Sequence, residues 1–480
     1  MNISLLILEI SVVILALALL LVDLWTPPAA KARLGYAAAV GLLIILGISF
    51  VEVIGCEPAY GFGGLFVQDG LAVFFKRFFI VAAIFAILMG IEFADRIKMG
   101  IVEFYAIILL ALAGMMLAAS ANDFILLFVA LELITVCFYV LVSFQRSRLV
   151  SLEAGVKYLI LSSLSTSFLI FGIAFIFGTA NSTSFSVINS ISGTLRENKM
   201  FWLGLTMVLV ALGFKISAFP MQVWAPDVYQ GAPAPVTAFL AIGSKAAGFV
   251  LLLRVLFTAV PGISSHWSGI LICGSAISIL YGNLCAIPQR NLKRLLGYSS
   301  ISNAGYILLG VAAFNADGSQ AVLYYLAGYL FALAAAFTVI CVVTRDSEDI
   351  SVLAGLNHRS PLLAWALTLS MVSLAGIPPL AGFFGKFLLL KSIIEQSATN
   401  PAYLTLALIA AAGVVISLYY YFGVIRAIYW SADAQYLAPI ALSAPVKISL
   451  VMAMVGMLYL GLCPQKALST AADAVKALHF

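Results

Sequence analysis

Along almost the whole chain, apolar residues come in blocks of roughly twenty, parted by short stretches of glycine, proline and basic residues. As an α-helix, a block of that length crosses a hydrocarbon core about 30 Å thick. The length rule predicts about 14 spans, at residues 3–22, 34–54, 71–91, 101–119, 123–143, 156–177, 202–223, 236–258, 268–287, 298–314, 320–343, 362–395, 403–428 and 444–463. The twelfth is too long for one straight crossing and contains AGIPPLAGFFGKF (Ala375 to Phe387), so it reads as two half-helices. The first block lacks the basic start of a secretory leader and runs into Asp23-Leu24-Trp25, which resembles an interfacial flank; it reads as a membrane span. No soluble domain interrupts the array, and residues 1–480 read as one membrane domain.

Composition sharpens this picture. The chain is 64% hydrophobic and 9% charged, whereas a soluble domain carries about 25% charged residues. The net charge of +5 is scattered over short loops, which points to orientation in a bilayer rather than to a nucleic-acid partner. Lys31 and Arg33, Arg96 and Lys98, Arg146 and Arg148, then Arg290, Lys293 and Arg294, then Arg345 and Arg359 follow odd-numbered spans. Those loops are expected in the cytoplasm, with both termini outside. Arg196 and Lys199 are the clearest cations of the other face; Lys76, Arg77, Lys466 and Lys476 argue against the rule. The six cysteines (56, 137, 273, 285, 341, 463) include no CxxC pair, and His266, His358 and His479 fall in loops or at the end of the chain. That excludes bis-histidine haem and gives no cluster spacing. No metal, cofactor or redox centre is expected in this chain.

Four ionisable residues stand far from any predicted helix end. Glu132, in FVALELITV, lies about nine residues into its span, ~14 Å deep at 1.5 Å per residue. Lys215 is similarly deep in the seventh span, Lys245 in the eighth and Lys386 in the second half of the twelfth. Each such charge costs about 2.5–3.5 kcal/mol on the mildest scale, so all four must face protein or water. An ion pair between Glu132 and one lysine would fasten helices together, but it leaves two lysines with no acidic partner nearby in sequence. A proton relay uses all of them, because burial loosens a lysine's hold on its proton and an adjacent carboxylate tightens it. Pro220 and Pro378-Pro379, each within about two turns of a lysine, break their helices, as in ion-transporting folds where unwound backbone lines a cavity.

Other polar residues carry weaker signals. Lys157 begins the sixth predicted span, as a snorkelling cation or a site of proton uptake. Ser299, Ser300, Ser302 and Asn303 open the tenth, lining a hydrated path or serving as helix-start residues. Glu9 is shallow enough to meet a neighbouring subunit, Arg254 reads as an interfacial anchor, and GFGGLF (61–66) reads as a turn.

The stretch FPMQVWAPDVYQGAPAPVTAFLAIGSKAAGF (219–249) resembles the N-subunit family of proton-pumping NADH:quinone oxidoreductase, respiratory complex I. The resemblance extends through ALELITVCFYVL (130–141), QRNLKRLLGYSSISNAGY (289–306) and SLAGIPPLAGFFGKF (373–387). It implies an all-α antiporter-like fold with two inverted five-helix repeats: three N-terminal helices (1–100), the repeats (101–260 and 265–430), and a C-terminal helix and tail (440–480). It implies a multi-pass protein of the bacterial inner membrane, both termini periplasmic, flanked by a sister antiporter-like subunit and a small K-type subunit. Glu132 then matches the fifth-helix glutamate that pairs with the seventh-helix lysine, Lys215; Lys245 and Lys386 match the lysines of the central axis and of the exit side. Protons would be taken up from the cytoplasm and released outside, driven by quinone reduction elsewhere in the complex. Related subunits bridge the axis with a histidine or lysine on the eleventh helix. Here 320–343 offers only Tyr324, Tyr325 and Tyr329, so transfer from Lys245 to Lys386 is expected to need waters. The rival readings are a subunit of a cation/proton antiporter and a passive scaffold between pumps.

Overall fold

In lipid, each backbone amide or carbonyl without an internal partner costs several kcal/mol, so apolar runs of this length fold as helices. The computed structural model describes residues 3–51, 58–97, 100–344, 347–398, 400–430 and 438–479. Cys56, Lys98 and Arg345 lie outside the described residues. Spans 1 to 6 are Ile7–Asp23, Leu34–Val51, Gly70–Phe93, Ile101–Ala119, Phe124–Val142 and Leu149–Ala180. Span 7 is Lys199–Ile216 with Trp224–Gly231; span 8 runs Ala234–Ala259; spans 9 to 11 are Ser264–Ala286, Leu292–Ala312 and Ala316–Val343. Span 12 is Pro361–Ala375 with Ala381–Glu395, and spans 13 and 14 are Ala402–Tyr429 and Ala444–Leu462. Thirteen described helices are long and apolar enough to cross a membrane, and the broken pair of span 12 supplies the remaining predicted crossing.

Burial separates inner from outer spans. Span 8 is buried along its whole apolar window and span 10 almost wholly, whereas spans 1, 2, 6 and 13 expose most of theirs. A helix hydrophobic all round and also buried belongs at the centre of a bundle. Spans 8 and 10 are therefore inner helices, span 8 enclosed by spans 3, 4, 7 and 11 and span 10 by spans 7, 9, 11 and 12. Both carry polar side chains that lipid would not tolerate: Lys245, Ser299, Ser300 and Asn303 are all nearly inaccessible.

Loops after odd-numbered spans meet at one end. Arg96 donates to the Cys341 and Thr344 carbonyls, Arg148 pairs with Glu348 at 3.2 Å, and the Ile440 amide bonds the Arg359 carbonyl. Glu348, between spans 11 and 12, is the hub. It accepts from Asn291 at 3.0 Å and pairs with Lys293 at 2.9 Å, and Lys293 is buried rather than solvated as a loop cation would be. Burial pushes the Glu348 carboxyl up, but Lys293, Asn291 and Arg148 outweigh it and hold the group below its ordinary 4.5. Its contribution to stability is therefore complete above the ordinary range and is lost as pH falls through the lowered value. Glu348→Gln is expected to lower the thermal unfolding midpoint of the purified complex at neutral pH. The gap to the native protein should narrow below pH 4.5; a gap constant down the acid limb would exclude an ionic role.

The opposite end corrects three readings. Arg254 is no lipid-facing anchor: it is 1% exposed. It forms two bonds to Asp69, at 2.6 and 2.7 Å, and donates to the Ala119 carbonyl. Glu9 is buried within the chain and pairs with Lys76 at 2.6 Å, so its partner is span 3 and not a neighbouring subunit. Lys76 and Arg77, weighed as cations against the orientation rule, both sit inside span 3; Arg77 donates to the Ser49 carbonyl at 2.5 Å. Segment 61–66 is a turn as expected, joining the antiparallel strands Ala59–Gly61 and Phe66–Gln68. Among the described residues, two helices of more than eight residues had no counterpart among the predicted spans. Phe185–Leu195 follows span 6, and Pro464–Val475 packs on spans 3 and 11 at this end.

Candidate functional site

Both broken spans are built the same way. The first half of span 7 stops at Ile216 with Ser217 left-handed (φ 58°), three residues before Pro220. Span 12 stops at Ala375 with Gly376 left-handed (φ 84°), three residues before Pro379. In a continuous helix the amides of residues 378 and 379 would bond the carbonyls of 374 and 375. Both are prolines and have no amide hydrogen. The Lys386 ammonium, 4% exposed, takes those same two carbonyls, Leu374 at 2.7 Å and Ala375 at 3.3 Å. It also stands 4.7 Å from the centre of the Tyr306 ring. The prolines thus create the site that holds the lysine, at the negative end of a half-helix.

Lys215 lies at the end of its half-helix, 5% exposed, and donates to Thr135 Oγ1. Glu132, one turn before Thr135 on span 5, accepts from Thr166 of span 6 at 2.7 Å. The expected Glu132–Lys215 ion pair is therefore not closed: Lys215 is held by Thr135, one turn along from Glu132, and Glu132 is tied instead to Thr166 of span 6. The sequence placed both groups on the right helices, but threonine at i+3 shares Glu132's face and was overlooked.

Lys245, 2% exposed, has no carboxylate partner among the described residues. It donates to the Ser300 carbonyl at 2.7 Å and to Ser300 Oγ. Tyr329 of span 11 donates to the same hydroxyl at 3.1 Å, and Tyr229 of span 7 lies 3.1 Å from it. One turn further along span 10, Asn303 accepts from Tyr325 at 2.7 Å and donates toward Ser299 and Tyr421. These serines and Asn303 do not open span 10, which begins at Leu292; they lie two to three turns inside it. Lysines 215, 245 and 386 are all buried in the protein, and span 10 touches the last two, Lys245 through Ser300 and Lys386 through the Tyr306 ring.

Lys157 likewise does not begin its span, which starts at Leu149. Less than half exposed, it bridges Glu153 at 2.8 Å and Asp227 at 2.9 Å, and Asp227 also takes Arg294 at 2.5 Å. Asp227 shares the short helix Trp224–Gly231 with Tyr229, so this ion cluster sits on the element that reaches Ser300. Asp227 had gone unweighed within WAPDVY, although a carboxylate three residues after a helix start is a visible signal. Among the described residues, no three histidine, cysteine, aspartate or glutamate side chains are grouped to share a metal ion.

A bundle of this topology, with two broken spans and buried lysines beside them, is an antiporter-like membrane subunit. The family described as NADH:quinone oxidoreductase/Mrp antiporter, TM, matches residues 121–417. NADH-quinone oxidoreductase subunit N of Trichlorobacter lovleyi is 38% identical over 99% of this chain and 98% of its own length. A chain of respiratory complex I from Thermus thermophilus superposes with a TM-score of 0.82 at 32% identity, covering 97% of this chain and 100% of that one. A chain of the Mrp complex from Dietzia sp. DQ12-45-1b shares the fold, with a TM-score of 0.84 at 20% identity over 100% and 98% of the two chains. The chain belongs to the NADH-quinone oxidoreductase subunit N family.

Proposed function

We propose that this chain relays protons across the membrane through Glu132, Lys215, Lys245 and Lys386, driven by quinone reduction in other subunits of the complex. What carries the reading is the placing of three lysines in the protein interior, each held by hydroxyl or carbonyl oxygens instead of a closed carboxylate pair. A lysine held by neutral acceptors keeps the option of releasing its proton, whereas a tight ion pair holds it. The chain itself carries no redox group in this reading. Its neighbours are a sister antiporter-like subunit and a small K-type subunit. The end that gathers Arg148, Lys293 and Arg294 faces the cytoplasm of a bacterial cell, and both termini face the periplasm. Lys157 belongs to the uptake cluster around Asp227. The antiporter alternative rests on a matched family that also takes in Mrp antiporter subunits and on a shared fold at 20% identity.

Glu132→Gln in the assembled complex is expected to lower proton ejection severalfold while leaving the amount of complex unchanged. The carboxylate sits one helical turn from the Lys215 acceptor, and a change of about 1.4 kcal/mol in that interaction is tenfold in proton affinity. Ejection at the native rate would reduce Glu132 to a structural role.

A further inference from the structure

We infer that Ser300, Tyr329 and Tyr325 form the conducting link between Lys245 and Lys386. This rests on the proton-relay reading above and assigns the segment which that reading leaves open. Three side chains converge on one oxygen: Lys245, Tyr329 and Tyr229 all reach Ser300 Oγ. Tyr329 and Tyr325 sit one turn apart on span 11 with their rings stacked, centroids 6.2 Å apart. On the far side Tyr325 lies directly against Gly385, the residue before Lys386; a side-chain carbon built at that glycine would fall 2.4 Å from the tyrosine ring. Only glycine permits this approach, and it places a tyrosine beside the segment that carries the last lysine.

The chemistry needs no acid or base of shifted affinity. A hydroxyl is both donor and acceptor, so it accepts one proton as it gives up another. The Tyr329 hydroxyl, which donates to Ser300, and the Tyr325 hydroxyl, which donates to Asn303, first rotate so that each oxygen faces the incoming proton. Lys245 then gives an N–H proton to Ser300 Oγ, the serine's own proton passes to Tyr329, and the tyrosine's proton moves on along Tyr325 and intervening water to the neutral amine of Lys386. One N–H bond at Lys245 and one O–H bond at each of Ser300, Tyr329, Tyr325 and every intervening water break, and as many O–H bonds, with one N–H bond at Lys386, form. No electrons change hands, and both tyrosines end neutral. Serine, tyrosine and water supply every oxygen in the link.

The test uses Tyr329→Phe, Tyr325→Phe and Ser300→Ala in the intact complex, with quinone-driven proton ejection measured in proteoliposomes. Phenylalanine keeps the rings and removes only the hydroxyl. Tyr324→Phe is the control: on the same helix, its hydroxyl donates away to the Leu460 carbonyl at 2.6 Å. Ejection is expected to fall at least fivefold in Tyr329→Phe and Tyr325→Phe, with normal complex content, and to stay native in Tyr324→Phe. Ser300→Thr, which restores a hydroxyl, should recover much of what Ser300→Ala loses. Native rates in both phenylalanine variants, alongside a dead Lys245→Ala, would overturn this link and leave the wider relay standing. Equal losses in Tyr324→Phe would overturn it too, as the mark of disturbed packing. A Lys245→Ala variant that ejects protons normally would bring down the relay itself.

Discussion

Lys245→Ala is expected to cut proton ejection by the assembled complex about a hundredfold. Without that amine the charge must cross the centre of the bundle unaided, at about 2.5–3.5 kcal/mol on the mildest scale; each 1.36 kcal/mol is tenfold in rate. The informative companion is Lys245→Arg. A guanidinium keeps the positive charge and the bonds to Ser300 but does not deprotonate in proteins. If the residue merely supplies a buried cation for packing, arginine rescues function. If it holds and hands on a proton, arginine is as inactive as alanine. Rates from proteoliposomes, normalised to the amount of intact complex, separate the two outcomes.

The second large effect is on stability and lies near the C-terminal end of span 8. Asp69→Ala leaves the Arg254 guanidinium buried with only the Ala119 carbonyl for company. Removing one partner of such a pair costs about 3–5 kcal/mol. Asp69 also caps span 3 by accepting from the Ala72 amide at 2.9 Å; loss of a helix cap adds about 1 kcal/mol. The variant is expected to be depleted from purified membranes, with the complex that does form melting earlier. Coupling it to Arg254→Met should recover much of the loss, because two apolar side chains leave no charge stranded. If the double variant is no better than the single, the pair is not what stabilises this corner.

The helical array was legible because each span reads independently: twenty apolar residues declare a crossing whatever the rest of the chain does. The breaks were legible for the same local reason, since Pro220 and Pro378-Pro379 act on their own helices. The partners were not. Arg254 looked like an anchor because it stands near the end of span 8, while its carboxylate is 185 positions away in sequence. Glu9 looked available for the same reason, with Lys76 on another helix. Lys245 looked unpaired because its acceptors are a serine and a main-chain carbonyl, and sequence does not distinguish a serine that holds an ammonium from one that opens a helix. Span ends moved as well. Helices 6 and 10 extend outward past their apolar cores through polar turns, which carries Lys157 and Ser299 deeper than hydropathy alone suggests.

The seat of Lys386 is made of main chain, and this changes how the protein drifts. Substituting Leu374 or Ala375 alters a side chain but cannot delete the oxygen that the lysine grips. The vulnerable point is the proline pair: exchanging both for alanine would let the helix run on and reclaim the two carbonyls through its own amides. The ammonium would then be left without acceptors by a change that adds hydrogen bonds to the backbone. At this position, local gain for the fold and loss for the traffic it carries are one event, and the Leu374 and Ala375 side chains can vary without deleting the lysine's acceptors, whereas those two imino acids cannot.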